Sequence, residues 1–598
     1  MSEEKVTPRH ILVSVAWPYA SADIHQGNVT GSYLPADIYA RFHRLQGNRV
    51  LMVSGSDSHG TPVTVKAEAD GKSPAEVFDY YHGRFLALFQ RLGLSYDLYT
   101  HTDTENHWRV SQDLFLALLN NGYMYPKVTA QMYSPAADRF LPDRYVEGTC
   151  PVCDYPRARG DQCDNCNTLF ESASELINPH SKLDESALEL RDTEHFYIDL
   201  EALADQGLAE WISEEKEHWR PQVINFARNL ILHEGLRGRA VTRDMDWGIP
   251  VPVEGWDGKV LYVWFEAVIG YLSASIEWAK NQGQPEAWKK WWYESDARSY
   301  YFVGKDNIPF HAIIWPAELL GAKRLYEDDP DKALNLPYDV PANEFMNMEG
   351  RKISGSQNWG VWMLDALDRH DPDPMRYYLT ATMPETRDSD WSWHGYVERN
   401  NGELVANWGN LVNRVLNMTQ RYFDGRVPEP GSLTAEDEAL LSAMDDGFKQ
   451  VAALYDACKF RAALQETLAL ATRVNQYLEE TSPWRTIKSD PVAAGRALYV
   501  ALQAISGLKI LFAPVLPFTS QQTHEMLGEA GQLFGEQRVE RYEEETRSHI
   551  ALTYDPSTAI GRWQRDVVPA GRVLPKPKPL FRKLEPETAD EELARLKS

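Results

Sequence analysis

Between residues 11 and 53, two short apolar runs flank a helix-length amphipathic stretch. This arrangement restricts the fold more than any other feature of the chain. Residues 11–17 (ILVSVAW) predict a strand, Pro18, Ser21 and Asp23 a turn, residues 27–46 a helix, and residues 50–53 a second strand. Strand, helix and strand in that order give a parallel pair with a right-handed crossover, the unit of a doubly wound α/β sheet. His25, Gly27 and Asn28 fall where the turn becomes the helix. There, unpaired backbone N–H groups and the positive end of a helix dipole favour phosphate. Gly27 lets a ligand approach the backbone, and His25 and Asn28 add side-chain donors. A second polar cluster, Ser56-Asp57-Ser58-His59-Gly60, follows the second strand and belongs at the same carboxyl edge of the sheet. Taken alone, an HxGN tetrapeptide is far more often a surface turn followed by a satisfied histidine.

Composition narrows the classes. With 598 residues the chain exceeds one ordinary domain, and 43% hydrophobic residues suffice for sizeable cores. No run of about 18 apolar residues predicts a membrane span, and the polar MSEEKVTPRH start has no apolar core of a leader. A cytoplasmic protein is the expectation. The net charge of −26, from 61 basic and 87 acidic residues, argues against nucleic-acid binding by overall charge; such a partner needs a local basic groove.

Four of the five cysteines are clustered as Cys150-Pro-Val-Cys153 and Cys163-Asp-Asn-Cys166, with nine residues between the pairs. Two CxxC knuckles close a tetrahedral four-thiolate zinc site, structural because no position is left for a catalytic water. Two unrelated thiol pairs or a redox CxxC are the alternatives. Cys458 lies in an Ala- and Leu-rich helical pattern and reads as core.

Further along, Ser73 and Pro74 predict a helix over 74–92, residues 99–108 a loop, and 113–119 a helix stopped at Asn121-Gly122. In residues 260–271, Trp264, Ala267, Val268 and Tyr271 share one helical face, a pattern that by itself reads as core packing. Residues 300–316 predict a strand, with Asp306 at its carboxyl end, and then a helix carrying His311 and Trp315 on one face. Residues 346–360 predict a mobile Gly- and Ser-bearing loop. After residue 396 come long amphipathic helices, with a bundle over 436–530. Asn407, Asn410, Asn413, Asn417 and Arg421 recur along one of them. The Pro-rich, charged C-terminal tail either packs back or stays loose, and no internal repeat is present.

WPYASADIHQGN and DSHGTP resemble the nucleotide-binding half of class I aminoacyl-tRNA synthetases, whose HIGH signature appears here as His25-Gln26-Gly27-Asn28. Within that class the resemblance is to the methionyl-tRNA synthetase family. It runs along nearly the whole chain, through FLPDRYVEGTC, RDTEHFYIDL, VTRDMDWGIPVP and ETSPWRTIK. It implies a catalytic fold in two halves (1–120 and 241–371), an inserted domain (121–240) holding one structural Zn²⁺ per chain, a helical anticodon-binding domain (372–550) and a tail (551–598). The insert is too short for the editing domain of the leucine, isoleucine and valine enzymes.

The same resemblance implies the site. Ala16, Trp17, Tyr19, Trp264, Ala267, Tyr271, His311 and Trp315 shape a methionine pocket; Asp57 takes the substrate ammonium and pairs with Arg243. ATP is held by His25, Gly27, Asn28, Asp306, Lys352, Ser354 and Ser356, with Mg²⁺. His25, Asn28 and Lys352 are the catalytic residues. Asn417, Arg421 and Trp484 match anticodon-reading positions. Two residues depart from the family: Val268 stands where a proline is expected, and the KMSKS loop appears as Lys352-Ile353-Ser354-Gly355-Ser356, its second lysine replaced by Gly355. Lys352, alone or helped by Arg351, then carries the charge stabilisation. The implied activity is ATP-dependent methionine activation and transfer to tRNA(Met) by a monomer. A paralogue serving a non-tRNA acceptor and a non-catalytic tRNA-binding protein remain as alternatives.

Overall fold

The computed structural model describes residues 8–596 apart from 143–144, 161–162, 164, 167, 169, 171–172, 183 and 356. Its centre is a seven-stranded sheet of β1 (His10–Val15), β2 (Arg49–Ser56), β3 (Leu98–His101), β4 (Arg298–Gly304), β5 (Ala342–Asn343), β6 (Glu536–Glu543) and β7 (Ser548–Asp555), in the order β5-β4-β1-β2-β3-β7-β6. The first five are parallel. Ile11 to Val15 are buried throughout, as an apolar strand covered on both faces should be. From β1 the chain winds outward through β2 and β3, then returns to the other side of β1 as β4 and β5. The crevice at the carboxyl ends of β1 and β4 is therefore the topological switch point, where such sheets bind ligands.

The crossover helix after β1 consists of Gln26–Asn28, a π-helical turn Val29–Tyr33, and Leu34–Leu45. A second π-turn, Phe310–Ile314, precedes Trp315–Ala322. In each case a proline (Pro35, Pro316) follows the wide turn. Proline has no N–H to continue the regular ladder, and a widened turn absorbs the missing bond.

The helix Pro74–Leu92 forms as the sequence predicts, with a reciprocal Ser73–Glu76 cap and Gly93 at φ 74°. Residues 99–108 do not form a loop. They contribute β3 and, from Thr104 as cap, the start of the helix Glu105–Asn120. Tyr99, Thr100 and His101 are buried although polar, which hides the strand from a reading based on apolar pattern.

The insert is built on a four-stranded antiparallel sheet led by Met124–Ser134 and Glu189–Ile198, with the three strands Val146–Thr149, Ala158–Arg159 and Ile177–Ser181 beside the cysteines. The C-terminal bundle is formed by Asn410–Tyr422, Ala435–Asp456, Phe460–Thr481 and Pro491–Phe512. One helix among the described residues, Pro491–Phe512, is apolar and long enough to cross a membrane, and 89% of that stretch is buried inside the protein; it is the bundle's core.

The main departure lies beyond residue 530. Residues 536–555 form a β-hairpin, β6–β7, whose second strand joins β3 antiparallel through Leu552 and Thr553. The tail packs back: Leu584 N–H donates to Asn401 Oδ1, and Glu592 of the last helix, Glu587–Arg595, receives Arg369 at 2.6 and 2.8 Å and His370 at 3.2 Å.

Candidate active site

A cavity of about 560 Å³ opens at the carboxyl edge of β1, β2 and β4. Its polar end is built by the strand-to-helix turn. His25 caps the helix: its Nδ1 accepts the N–H of Gly27 at 3.1 Å and of Asn28 at 3.3 Å. The capping assigns the ring proton to Nε2. Burial holds the imidazole's pKa down to about 4, so the ring is neutral at physiological pH. Asn28 Oδ1 in turn accepts the N–H of His25 at 3.1 Å, which leaves its Nδ2 as a donor. The backbone N–H groups expected to face a phosphate are thus taken by His25. The donors offered at this end are the side-chain His25 Nε2–H and Asn28 Nδ2–H. Asp306, Asn307 and Glu344 border the same end.

The loop after Met346–Met348 closes over this turn. Val361 N–H donates to Gln26 Oε1 at 2.8 Å, Gln26 N–H donates to Val361 O at 3.0 Å, and Met363 N–H donates to Ile24 O at 3.0 Å. Within the loop, Ser354 and Trp359 exchange backbone hydrogen bonds at 2.9 Å each way. Ile353 rests on Gly27, where a Cβ would stand 2.9 Å from its Cδ1. Lys352, Ile353 and Gly355 line the cavity; Arg351 turns away, its guanidinium 4.3 Å from the Trp359 ring centroid. Ser354 serves the loop's own hairpin and does not line the cavity. Ser356 lies outside the described residues.

The apolar end is aromatic. Trp264 stacks on Phe310 with centroids 4.1 Å apart, and Tyr19 meets Trp264 edge-on at 5.9 Å. Tyr271 donates its hydroxyl to His311 Nε2 at 2.6 Å, and His311 Nδ1–H donates to the Asn307 carbonyl at 2.8 Å. Burial lowers the pKa of His311 to about 4. Both ring nitrogens are satisfied, so His311 presents a neutral wall. Ala16, Trp17, Ala267 and Val268 complete it. Trp315 is not part of the lining; it is fully buried behind Tyr271 and donates Nε1–H to the Tyr301 hydroxyl at 3.0 Å. Phe310 was not anticipated, nor were three glycines. A Cβ on Gly55 or Gly270 would stand 2.0 or 2.5 Å from Trp17, and one on Gly60 would stand 2.1 Å from Tyr19. A glycine inside an apolar strand, as in VSGSDSHG, is the signal for such close approach.

Asp57 faces the cavity from the loop after β2. Beneath it lies a buried charge cluster. His59 Nδ1 is 2.9 Å from Glu266 Oε1, His107 Nε2 is 2.6 Å from Glu266 Oε2, and His59 Nε2 is 3.4 Å from Asp103 Oδ1. Burial alone would lower the pKa of His59, but Glu266 and Asp103 outweigh it and hold it at about 10, so His59 is an imidazolium. Burial, and then the Glu266 carboxylate, push Asp57 up; His59 opposes them. The Arg243–Asp57 pair does not form. Arg243 lies 3.8 Å over the Tyr262 ring and donates to the Thr242 carbonyl, while His59 and Glu266 occupy the space beneath Asp57.

Elsewhere, the four cysteine sulfurs lie within 4.8 Å of one another, Cys150 to Cys166 at 3.7 Å and Cys153 to Cys163 at 3.6 Å. A tetrahedron of thiolates at the usual zinc–sulfur distance has edges of about 3.8 Å, so the donor set fits that ion. On the helix Asn410–Tyr422, Asn417 and Arg421 are exposed one turn apart. Arg414, not singled out by its sequence, covers the Trp484 ring at 4.9 Å and extends the same face. Asn407 instead donates to Thr472 Oγ1 at 3.0 Å and ties two helices together.

A doubly wound sheet, a histidine-capped turn at its switch point and a Lys352 loop zipped to that turn define a class I aminoacyl-tRNA synthetase. The family model for class I tRNA synthetases (M) matches residues 11–416, and that for the anticodon binding domain of methionyl tRNA ligase matches residues 427–549. The methionine–tRNA ligase of Thermomicrobium roseum is 54% identical over 591 residues, covering 98% of this chain and 99% of that one. That of Roseiflexus castenholzii is 52% identical over 604 residues, covering 99% of each. The fold is that of Mycobacterium tuberculosis methionyl-tRNA synthetase bound by methionyl-adenylate (TM-score 0.74, 24% identity, 96% of this chain and 100% of that one). The chain belongs to the methionine–tRNA ligase family.

Proposed function

We propose that this chain activates methionine with ATP and transfers it to the 3′ end of tRNA(Met), acting as a cytoplasmic monomer. One observation carries the reading. A single cavity joins an end with neutral, pre-oriented hydrogen-bond donors and a lysine loop to an aromatic end whose one histidine is fully satisfied. A thioether side chain asks for such a wall, because it has almost no hydrogen-bonding demand and gains from aromatic contact.

In the first step a carboxylate oxygen of methionine attacks the α-phosphorus, the bond to the β-phosphate oxygen breaks, and pyrophosphate leaves. In the second, a ribose hydroxyl of the terminal adenosine attacks the acyl carbon and AMP leaves. No protein nucleophile is needed; positioning and charge stabilisation suffice. His25 Nε2–H and Asn28 Nδ2–H hold the phosphates, and Lys352 meets the departing pyrophosphate. Asp57 takes the ammonium, and Asp306 holds the ribose or the amino group. Magnesium, bound with ATP, supplies neutralisation of phosphate charge.

Cys150, Cys153, Cys163 and Cys166 would hold one structural zinc in the insert. Asn417, Arg421 and Trp484, with Arg414 beside them, form the anticodon-reading face, since unpaired bases are read by stacking and amide or guanidinium contacts. The division at residues 120, 240 and 371 stands as part of this proposal, with 536–555 reassigned to the catalytic body.

ATP–pyrophosphate exchange tests the reading. Exchange should depend on methionine among the amino acids and proceed without tRNA, and charging of tRNA(Met) should follow. Exchange without charging would favour the paralogue serving another acceptor; no exchange with methionine would overturn the assignment.

A further inference from the structure

We infer that Arg547, on the turn of the C-terminal hairpin, is a positioning residue for the amino-acid ammonium site. The inference rests on the reading of Asp57 given above. Arg547 does not line the cavity. Its Nη2 donates to Asp103 Oδ2 at 2.6 Å and to the Asp103 carbonyl at 2.9 Å. Asp103 meets His59 Nε2 at 3.4 Å, and the backbone N–H of His59 donates to Asp57 Oδ1 at 3.2 Å. Three layers are thus in register: the hairpin turn, the segment 101–104, and the loop 56–60.

The layers are tied by backbone as well as by charge. Ser58 N–H donates to Thr102 Oγ1 at 2.9 Å, and Thr102 N–H to Ser56 O at 3.1 Å. The hairpin turn is itself docked on a helix start. Glu544 accepts the N–H of Glu105 at 3.1 Å and of Asn106 at 3.4 Å, and Glu105 accepts the N–H of Glu545 at 3.1 Å. Asp103 is almost fully buried between two cations, Arg547 and the His59 imidazolium. Removing Arg547 leaves a buried carboxylate with one partner, and such a group moves or recruits water. Either response shifts His59, and with it the N–H that holds Asp57. The phosphate end has its own ties, Gln26 with Val361 and Ile353 on Gly27. Asp57 reaches the turn before it through backbone bonds alone, its N–H donating to Pro18 O at 2.8 Å and its carbonyl accepting Ala20 N–H at 3.1 Å.

The prediction is a split between substrates. In Arg547→Ala the KM for methionine in pyrophosphate exchange should rise about tenfold, the scale of one lost charge-assisted contact. The KM for ATP should stay within about twofold, since His25 and Asn28 keep their own capping bonds and the shift falls on the Asp57 carboxylate. Arg547→Lys should recover most of the loss. Methionine affinity without ATP, read from Trp17 and Trp264 fluorescence, should weaken in parallel. Asp103→Asn reaches the same link from the pocket side and serves if Arg547→Ala does not fold; the double variant should be no worse than Asp103→Asn alone. An unchanged methionine KM in folded Arg547→Ala or Asp103→Asn overturns the inference. So does an equal rise for both substrates. A wild-type chain that shows no methionine-dependent exchange overturns the reading of the site itself, and the role of Arg547 with it.

Discussion

Ile353 of the lysine loop lies directly on Gly27 of the capping turn, so that a Cβ at position 27 would stand 2.9 Å from Ile353 Cδ1 and 3.0 Å from the His25 ring. The two signature segments, more than 300 residues apart in the chain, are therefore one packed unit. Gly27→Ala should push both the loop and the His25 ring away from their places. Exchange kcat should fall by about two orders of magnitude, the cost of misplacing a transition-state donor, while methionine affinity changes little. Steady-state exchange and a methionine titration check it; equal losses in both would contradict the packing argument.

Gly355 has no steric reason to be glycine. A Cβ there meets nothing nearer than Trp362 at 3.9 Å, and the position lines the cavity. Gly355→Lys should therefore fold normally and place a second cation near the departing pyrophosphate. The exchange kcat should rise severalfold with little change in methionine KM, because the contact strengthens as charge develops. Exchange kinetics of the single variant decide it.

The signature turn was legible because its chemistry is local. His25, Gly27 and Asn28 sit at a junction that the apolar pattern marks on both sides, and Ser73 with Pro74 announces the helix that follows them. What could not be read depended on distant partners. β3 is short and buries Tyr99, Thr100 and His101, and the hydroxyls of Tyr99 and Thr100 find their partners in Ser56 and Glu277. β7 carries IALTY, a fair strand signal, but nothing local tells it to join a sheet begun at residue 10. Trp315 shares a helical face with His311, yet the π-turn between them rotates it behind Tyr271. Arg243 matches a family phrase, while the residues that displace it from Asp57 lie at positions 59 and 266.

Stability should peak near neutral pH and fall on both sides. His25 and His311 have folded pKa values of about 4, below the ordinary 6.5, so the unfolded chain binds more protons between those values. Their contribution is lost as pH falls from about 6.5 towards 4. His59, at about 10, and His549, held at about 9 by Glu277 and Glu544 against the effect of burial, have the opposite sign. Their contribution is full below 6.5 and is lost as pH rises through 9 to 10. Denaturation midpoints measured from pH 4 to 10 should trace this dome. His59→Gln should flatten the alkaline limb, and an unchanged limb would remove His59 as its source.

Chelation should act on the insert alone. A strong zinc chelator should release about one metal ion per chain, the number a single four-thiolate set can hold. Proteolysis should then begin between residues 146 and 181, with the melting of the helical bundle unaltered. Metal analysis and mapping of the first cleavage sites check this together.

Arg414→Ala and Trp484→Ala should separate the two half-reactions. Loss of a stacking platform costs about 1–3 kcal/mol per base. Charging of tRNA should therefore lose roughly one to two orders of magnitude in kcat/KM, with pyrophosphate exchange at the wild-type rate. A matching loss in exchange would place these residues in the stability of the bundle instead.

The hairpin that completes the central sheet also sets a timetable for its making. β3 leaves the ribosome early, while its partner β7 is encoded about 450 residues later. At ordinary elongation rates of about 5–20 residues per second, that interval is roughly 20 to 90 seconds. Throughout it, the nascent chain carries an open β-edge, the kind of template on which neighbouring chains aggregate. A slow-growing molecule of this design needs protection at that edge, from a chaperone or from the insert and bundle emerging in between. Truncation before Ser548 should yield a protein that is difficult to keep in solution even though every proposed substrate contact is still encoded.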